Sequence, residues 1–141
     1  MKILILNGPN LNLLGKREPE IYGSESYKTL MEKVQRFAGQ RNHGCDVFQT
    51  NHEGVLVDKI QAAEGIYDGI VINPAAYTHY SIAILDALRS VSVPAVEVHL
   101  SDISKREAYR QLSVTKDGCI AQVMGRGVQG YLDAIEILEK Q

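Results

Sequence analysis

The chain has 141 residues and carries 15 Lys and Arg against 17 Asp and Glu, a net charge of −2, with 45% apolar residues. This length predicts one domain over residues 1–141 that can bury most of its surface without disulfides or a metal. The nearly neutral charge argues against a dedicated nucleic-acid-binding protein, which is usually basic overall or along a stripe. Cys45 and Cys119 lie far apart with no metal-ligand spacing, so we expect two reduced thiols in or near the core.

The apolar segments are too short to enter a membrane. Residues 3–6 form an apolar run that ends at Asn7-Gly8-Pro9, which is too short for a signal peptide. No later segment approaches the ~18 apolar residues of a membrane span. We therefore expect a soluble, cytoplasmic protein with no membrane association.

Short apolar segments alternate with segments of helical period along the whole chain. Strands are expected at Ile3–Leu6, Asp46–Gln49, Gly69–Ile72, Ala95–Val98 and Cys119–Met124, the last three buried on both faces. Helices are expected at Ser24–Arg41 with Ser24 as N-cap, at Glu53–Tyr67, at Ser81–Val91, over a stripe from Val128 to Leu138, and as a short helix at Arg106–Leu112. This alternation predicts a five-stranded parallel sheet covered by helices on both faces. The flavodoxin-like strand order 2-1-3-4-5 fits better than a six-stranded Rossmann fold.

Polar residues follow the strands where such a sheet binds ligands. Ligands bind outside the carboxyl ends of the strands, at the switch point flanked by strands 1 and 3. The segments after strands 1, 3 and 4 are therefore expected to meet in one crevice, and they contain Asn, His, Tyr, Arg and Glu side chains.

The connection after strand 1 runs for about 17 residues without a helical pattern, beyond the usual two to six. Its glycines and proline suit a hinged lid that carries Arg17 and Tyr22, although a solvated loop with a charge cluster is the alternative. A phenol has a pKa of about 10, and a nearby guanidinium would stabilise its phenolate form. Tyr22 is thus either a base assisted by Arg17 or a packing residue.

His99 and Glu97 lie two residues apart near the end of strand 4, so they share a face of the sheet. The carboxylate can orient the imidazole, as a general acid requires, although a simple hydrogen-bonded histidine at a strand end fits the same position. His79 precedes a helix whose N-terminus can receive an anion. Arg106 and Arg110, four apart on the short helix, could bind a carboxylate or phosphate, or form a solvated basic face.

The segment Gly125–Gly130 matches G-x-G-x-x-G between a strand and a helix. The dinucleotide fingerprint also needs a βαβ unit and an acidic residue about 20 residues further on, and eleven residues follow Gly130. Tight backbone turning and close helix–strand packing explain these glycines better. P-loop and G-x-S-x-G motifs do not occur, which disfavours ATP hydrolysis and serine hydrolysis.

Several motifs in order resemble the type II 3-dehydroquinate dehydratase family. The matching stretches are Asn7–Gly15, Arg17–Gly23, Asn51–Gly54, Asn73–His79, Glu97–Ser101, Arg106–Glu107 and Gly127–Tyr131. The resemblance runs from residue 1 to about residue 135 and includes each strand's exit. It implies anti elimination of water from 3-dehydroquinate through an enolate, giving 3-dehydroshikimate in the shikimate pathway, with no metal, cofactor or Schiff base.

The resemblance also implies roles for individual residues. Tyr22 would be the general base, Arg17 would hold it as phenolate, and Asn10 would position a water that stabilises the enolate oxygen. His99, paired with Glu97, would protonate the departing hydroxyl. The substrate's hydroxyls and carboxylate would be bound by Asn73, His79, Leu100, Ser101 and Arg110.

Family members are dodecamers, tetramers of trimers, in which an aspartate matching Asp86 reaches a neighbour's site. Leu85 replaces a usual arginine beside Asp86, which puts that charge network in question.

Two other functions remain open for this sequence. A flavodoxin-like binding or regulatory module is one, although Asn7-Gly8-Pro9 stands where receiver modules need acidic residues. A relative acting on another cyclic polyol acid is the other.

Overall fold

A five-stranded parallel sheet forms the centre of the chain. This computed structural model describes residues 1–16, 20 and 25–141. The strands are β1 Lys2–Asn7, β2 Gly44–Gln49, β3 Gly69–Asn73, β4 Ala95–His99 and β5 Ala121–Met124. Their order in the sheet is β2-β1-β3-β4-β5, and every neighbouring pair is parallel. The predicted fold class and strand order are confirmed.

Among the residues that the structure describes, four α-helices of at least nine residues cover the two faces of the sheet. They are α1 Tyr27–Gln40, α2 Glu53–Ala62, α3 Ile82–Ser90 and α4 Gln129–Glu139. α1 and α4 pack on the face that holds Ile3 and Ile5, whereas α2 and α3 pack on the face that holds Leu4 and Leu6. Successive residues of a strand point to opposite faces, so β1 contributes to two separate cores. This is the three-layer arrangement that the alternating pattern predicts.

The burial of each strand depends more on its position in the sheet than on its fraction of apolar residues. β3 and β4 are buried at every residue, as predicted, and β1 is buried from Ile3 to Asn7. The expectation that the fifth strand is buried on both faces is wrong, because all four residues of β5 are half-buried. β5 forms an edge of the sheet and has only β4 as a neighbour.

Two predicted helix boundaries differ from the structure. The N-cap of α1 is Ser26, whose Oγ accepts a hydrogen bond from the Thr29 N–H at 3.1 Å, so the prediction of Ser24 as N-cap is wrong. α2 ends at Ala62, before Gly65 turns the chain with φ +78°. Ile66, expected on the buried stripe of that helix, is 55% exposed beyond the turn.

The connection from β4 to β5 contains three short 3-10 turns, Ile103–Lys105, Ala108–Arg110 and Thr115–Gly118. The predicted helix at 106–112 is therefore wrong. Arg106 follows the first turn in an extended conformation, with ψ −177°, and Arg110 ends the second. The two arginines do not share a helical face.

The glycines after β5 act as the sequence indicates. Gly125 and Gly127 have φ of +77° and +55°, where a side chain is disfavoured. A Cβ on Gly130, in the first turn of α4, would lie 3.3 Å from Cγ1 of Val98 in the sheet. Backbone turning and close helix–strand packing thus account for this segment.

Both cysteines are free and half-buried, each packed against one of the two cores. Burial, with a smaller contribution from Asp46, raises the pKa of the Cys45 thiol to about 11. Burial and the charge of Glu97 likewise raise the pKa of Cys119. Both thiols therefore lie near the core, as expected. Separately, none of the helices formed by the described residues is both long and apolar enough to cross a bilayer.

Candidate active site

A cavity of about 180 Å³ opens at the carboxyl ends of β1, β3 and β4. It is lined by residues 9–11, 13–14, 73, 75–76, 79, 99–101, 103, 106 and 110. The three segments that follow these strands thus meet at the switch point of the sheet, where the sequence predicts a crevice.

Most of the predicted site residues lie at this cavity. Its lining includes Asn10, Asn73, His79, His99, Leu100, Ser101 and Arg110. Glu97 lies behind His99 and is fully buried. Asp86 is exposed on α3 and is not among the described residues of the lining. Arg17 and Tyr22 lie outside the described residues.

The loops after β1 and β3 approach each other closely at the cavity floor. The Gly8 N–H donates to the Asn73 carbonyl at 2.8 Å. A Cβ on Gly8 would lie 2.5 Å from the Pro74 carbonyl oxygen, which is closer than atoms can approach. Any side chain at position 8 would separate the two loops, so glycine here keeps Asn10 beside Asn73.

Asn10 is held in a left-handed conformation, with φ +69°, which asparagine tolerates better than most residues. Its backbone N–H donates to Asn51 Oδ1 at 3.0 Å, and the same oxygen accepts from Gln49 Nε2 at 3.0 Å. Gln49 also donates to the Gly8 carbonyl at 3.1 Å. Gln49, the last residue of β2, and Asn51, just beyond it, thus fix the Asn10 loop. The sequence analysis assigned a role to neither, although Asn51 begins one of the matching stretches. Their position at a strand exit was the available signal.

Asn73 is fixed by a tyrosine from the layer beneath the sheet. Asn73 Nδ2 donates to the Tyr131 hydroxyl at 3.0 Å, and that hydroxyl donates to Asn7 Oδ1 at 2.6 Å. Asn73 Oδ1 accepts from the Ala75 N–H at 3.1 Å. All three side chains of this Asn7–Tyr131–Asn73 link are buried. Burial raises the pKa of Tyr131, so its hydroxyl stays protonated and can donate.

Replacing Tyr131 with phenylalanine is expected to lower the free energy of unfolding by about 1–3 kcal/mol, because a buried amide donor and a buried acceptor lose their partner. Urea denaturation would measure the change. The matched control is Tyr67→Phe, which removes a hydroxyl that donates to Asp46 at 2.6 Å in an exposed position, and whose effect is expected within about 0.5 kcal/mol. A Tyr131→Phe protein as stable as the control would show that the link contributes nothing.

His99 and Glu97 form a buried pair, as their spacing predicts. His99 Nε2 lies 2.8 Å from Glu97 Oε2, and His99 is 5% exposed at the cavity wall. Burial by itself would raise the pKa of Glu97, but hydrogen bonds from His99, Thr115 and Ser113 and the charge of His99 outweigh it and lower that pKa to about 2. Glu97 is therefore an ionised acceptor. It orients the imidazole and leaves Nδ1 as the nitrogen not bound to the carboxylate.

Four neutral donors that the sequence analysis did not identify also contact Glu97. Its carboxylate accepts from Gln122 at 2.8 Å, Ser113 at 2.7 Å and Thr78 at 3.1 Å, and from Thr115. One signal was available, since Gln122 is a polar residue inside an apolar strand and a buried polar group requires a partner.

His79 and two arginines, Arg106 and Arg110, also line the cavity. His79 Nδ1 donates to the Leu112 carbonyl at 2.7 Å, which leaves Nε2 to face a ligand. Glu107 Oε2 lies 3.1 Å from Arg110 Nε and 3.8 Å from Arg106 Nε. Arg110 also lies over the Tyr109 ring at 5.1 Å. The cavity thus combines two cationic side chains that can bind an anion with an imidazole that can transfer a proton.

Comparison with known proteins agrees with this geometry. The family model described as "Dehydroquinase class II" matches residues 1–139. The chain belongs to the class II dehydroquinase family. A 3-dehydroquinate dehydratase of Clostridium botulinum is 53% identical over 136 residues, covering 96% of this chain and 92% of the relative. A 3-dehydroquinate dehydratase of Thermotoga petrophila is 48% identical, covering 100% and 96%. The crystal structure of a type II dehydroquinase from Butyrivibrio crossotus superposes with a TM-score of 0.97 at 50% identity, covering 99% and 97%. The sequence resemblance is confirmed, and the chain is an enzyme of this family.

Proposed function

We propose that this protein removes water from 3-dehydroquinate to give 3-dehydroshikimate, a step of the shikimate pathway. The observation that carries the proposal is the His99–Glu97 pair at the wall of a cavity that Arg110 and His79 also line. A dehydratase needs a group that protonates the departing hydroxyl, and a buried, carboxylate-oriented imidazole suits that role. Arg106 and Arg110, which line the cavity, suit a substrate that carries a carboxylate.

The proposed reaction is an anti elimination through an enolate. Tyr22, held as phenolate by Arg17, removes the proton next to the carbonyl. Asn10 positions a water that stabilises the enolate oxygen, as an oxyanion site does. The enolate then re-forms the carbonyl and a carbon–carbon double bond while the hydroxyl leaves with a proton from His99.

The remaining residues at the cavity are proposed to bind the substrate. Asn73 and His79 hold its hydroxyls, because Asn73 keeps a second Nδ2 hydrogen after donating to Tyr131, and His79 keeps Nε2 after donating from Nδ1 to Leu112. Leu100 and Ser101, directly after β4, offer backbone amides and a hydroxyl. Arg110 binds the carboxylate, since a guanidinium forms paired hydrogen bonds with it.

We also propose that the single catalytic domain assembles into a homo-oligomer, a dodecamer of four trimers, in which Asp86 reaches a neighbouring site. Supporting this, large apolar side chains near Asp86 and the cavity entrance are exposed, namely Tyr80 at 63%, Ile82 at 62%, Tyr109 at 67% and Leu112 at 59%. Light scattering would test the assembly, and a monomeric protein would exclude it. The cytoplasmic location stays a prediction from the sequence.

The direct test of the activity is incubation of the purified protein with 3-dehydroquinate, followed by the ultraviolet absorbance of the conjugated enone product. We expect turnover without added metal or cofactor. A well-folded protein that gives no absorbance change under several conditions would refute the proposed function. Comparison of kcat/KM with other cyclic polyol acids would show whether dehydroquinate is the preferred substrate.

Replacing Tyr22 with phenylalanine is expected to lower kcat by at least about 10²-fold, because a positioned general base contributes that much to the chemical step. Steady-state kinetics with 3-dehydroquinate would measure the loss. Tyr109→Phe is the control, since its ring is 67% exposed and no proton transfer is assigned to its hydroxyl. A Tyr22→Phe protein with near-wild-type kcat would remove Tyr22 from the role of base.

A further inference from the structure

The Glu97 carboxylate is completely buried and contacts donors from separate parts of the fold. Gln122 lies opposite Glu97 in the register of β4 and β5, which places both side chains on one face of the sheet. Thr78 comes from the turn after β3, and Ser113 and Thr115 come from the connection that leads to β5. Thr78, Ser113 and Thr115 are each less than 5% exposed. We call these four residues the neutral shell.

The neutral shell supplies most of the hydrogen bonds that the ionised Glu97 carboxylate accepts. Two carboxylate oxygens offer about four acceptor positions. Thr115 donates to Oε1, and Ser113, Gln122 and His99 lie 2.7–2.8 Å from Oε2. Thr78 is closer to the hydroxyls of Ser113 and Thr115, at 2.7 and 2.8 Å, than to Oε2, at 3.1 Å. Its one hydroxyl proton can go to a single acceptor, so Thr78 contacts Glu97 less directly than Ser113 and Thr115 do.

A neutral shell matters because His99 changes charge in the proposed reaction. If Glu97 depended on the imidazolium alone, it would lose the compensating positive charge as soon as His99 gave up a proton and would keep a single hydrogen bond from the neutral imidazole. Burial strongly disfavours such a charge, so Glu97 would then take up a proton from solvent and donate it to Nε2, where it should accept. Donors that carry no charge stabilise the carboxylate equally before and after proton transfer.

We propose that Thr78, Ser113, Thr115 and Gln122 are positioning residues that keep Glu97 an acceptor throughout the reaction, so that one His99 proton stays on Nε2 and the transferred proton leaves from Nδ1. The assignment of the transferred proton rests on the proposed dehydratase function. In that step the Nδ1–H bond breaks and its proton forms water with the departing hydroxyl. The electron pair of the broken C–O bond stays on that oxygen.

Variants of the neutral shell provide the test. Ser113→Ala removes a hydroxyl donor to Glu97, and Ser92→Ala is the matched control, since Ser92 donates to the exposed Glu64 at 2.6 Å. Thr115→Val removes the second hydroxyl with little change of shape, and Thr115→Ser restores it. We expect kcat to fall about tenfold in Ser113→Ala and Thr115→Val, because hydrogen bonds to charged groups are strong, with KM changed less than twofold. Thr115→Ser and Ser92→Ala should keep wild-type kcat.

The tautomer of His99 provides a readout that does not depend on turnover. Nitrogen-15 NMR of the wild-type protein at a pH where His99 is neutral should show the proton on Nε2. In the double variant Ser113→Ala, Thr115→Val a fraction of His99 should carry it on Nδ1, because Glu97 then donates to Nε2. If that variant does not fold, Gln122→Met, at a half-buried edge-strand position, replaces it.

Two results would overturn the proposal: a wild-type His99 with its neutral proton on Nδ1, or variants that keep both the Nε2 tautomer and kcat within twofold of wild type. A Thr115→Ser protein as impaired as Thr115→Val would also count against it, since packing and not the hydroxyl would then be responsible. A wild-type protein that does not turn over 3-dehydroquinate but shows the expected tautomers would refute the dehydratase function and leave the positioning of His99 intact.

Discussion

Replacing His99 with glutamine is expected to lower kcat for 3-dehydroquinate dehydration by about 10²–10⁴-fold, the usual contribution of a positioned proton donor. Glutamine can still hydrogen-bond to Glu97 across the 2.8 Å contact, so the buried carboxylate keeps a partner and the fold is retained. It cannot release a proton near neutral pH. Because Asn73, His79 and Arg110 bind the substrate in our proposal, KM is expected to change much less than kcat. Steady-state kinetics across a range of substrate concentrations separates the two.

His43→Gln is the matched control for this variant. His43 lies just before β2, at the amino end of the sheet, and its Nε2 is 2.7 Å from Glu139. Like His99, it is a histidine paired with a carboxylate, but it is half-buried and lies at the end of the sheet opposite the cavity. Its replacement should leave kcat unchanged. A His99→Gln protein that retains kcat within tenfold of wild type would show that another group protonates the leaving hydroxyl.

The strands and helices could be predicted because the spacing of apolar residues along the chain indicates them. β1 has apolar residues on both faces since it lies inside the sheet, between β2 and β3. The alternation of five strands with helices predicts the parallel sheet and favours the order 2-1-3-4-5. The boundaries were less predictable. Ser24 and Ser26 both precede the apolar stripe of α1, and only the hydrogen bond to the Thr29 N–H distinguishes Ser26 as the cap. Propensity alone cannot decide between two capping residues so close together.

The site could be predicted in part, for a different physical reason. Strand exits place Asn10, Asn73 and His99 at one edge of a parallel sheet, so topology brings them together once the strand order is known. The supporting residues could not be found this way. Tyr131 contacts Asn73 across 58 positions of sequence and Thr115 contacts Glu97 across 18, and no periodicity encodes such pairs. The prediction that Arg106 and Arg110 share a helical face was wrong, because 3-10 turns stand in place of that helix. Both residues nevertheless line the cavity.

Replacing Glu97 with glutamine is expected to remove a large part of the acid sensitivity of folding. The pKa of Glu97 in the folded protein is about 2, below its usual value of 4.5. The ionised carboxylate therefore contributes stability that is complete above about pH 4.5 and is lost as the pH falls toward about 2. A shift of this size corresponds to about 3 kcal/mol. Glutamine does not titrate, so the variant has no such contribution to lose.

Urea denaturation of both proteins at pH 5 and pH 2.5 would measure this difference. The wild type should lose about 2–3 kcal/mol more unfolding free energy between the two pH values than Glu97→Gln does. Glu25→Gln is the control, because the exposed Glu25 pairs with Lys33 at 2.7 Å at the surface, where ion pairs contribute little. Equal acid-induced losses in wild type and Glu97→Gln would mean that the donors around Glu97 do not stabilise its charge.

Glu97→Gln should also lower kcat about 10²-fold at neutral pH. An amide can donate to the imidazole as well as accept from it, so it no longer determines which nitrogen of His99 carries the proton.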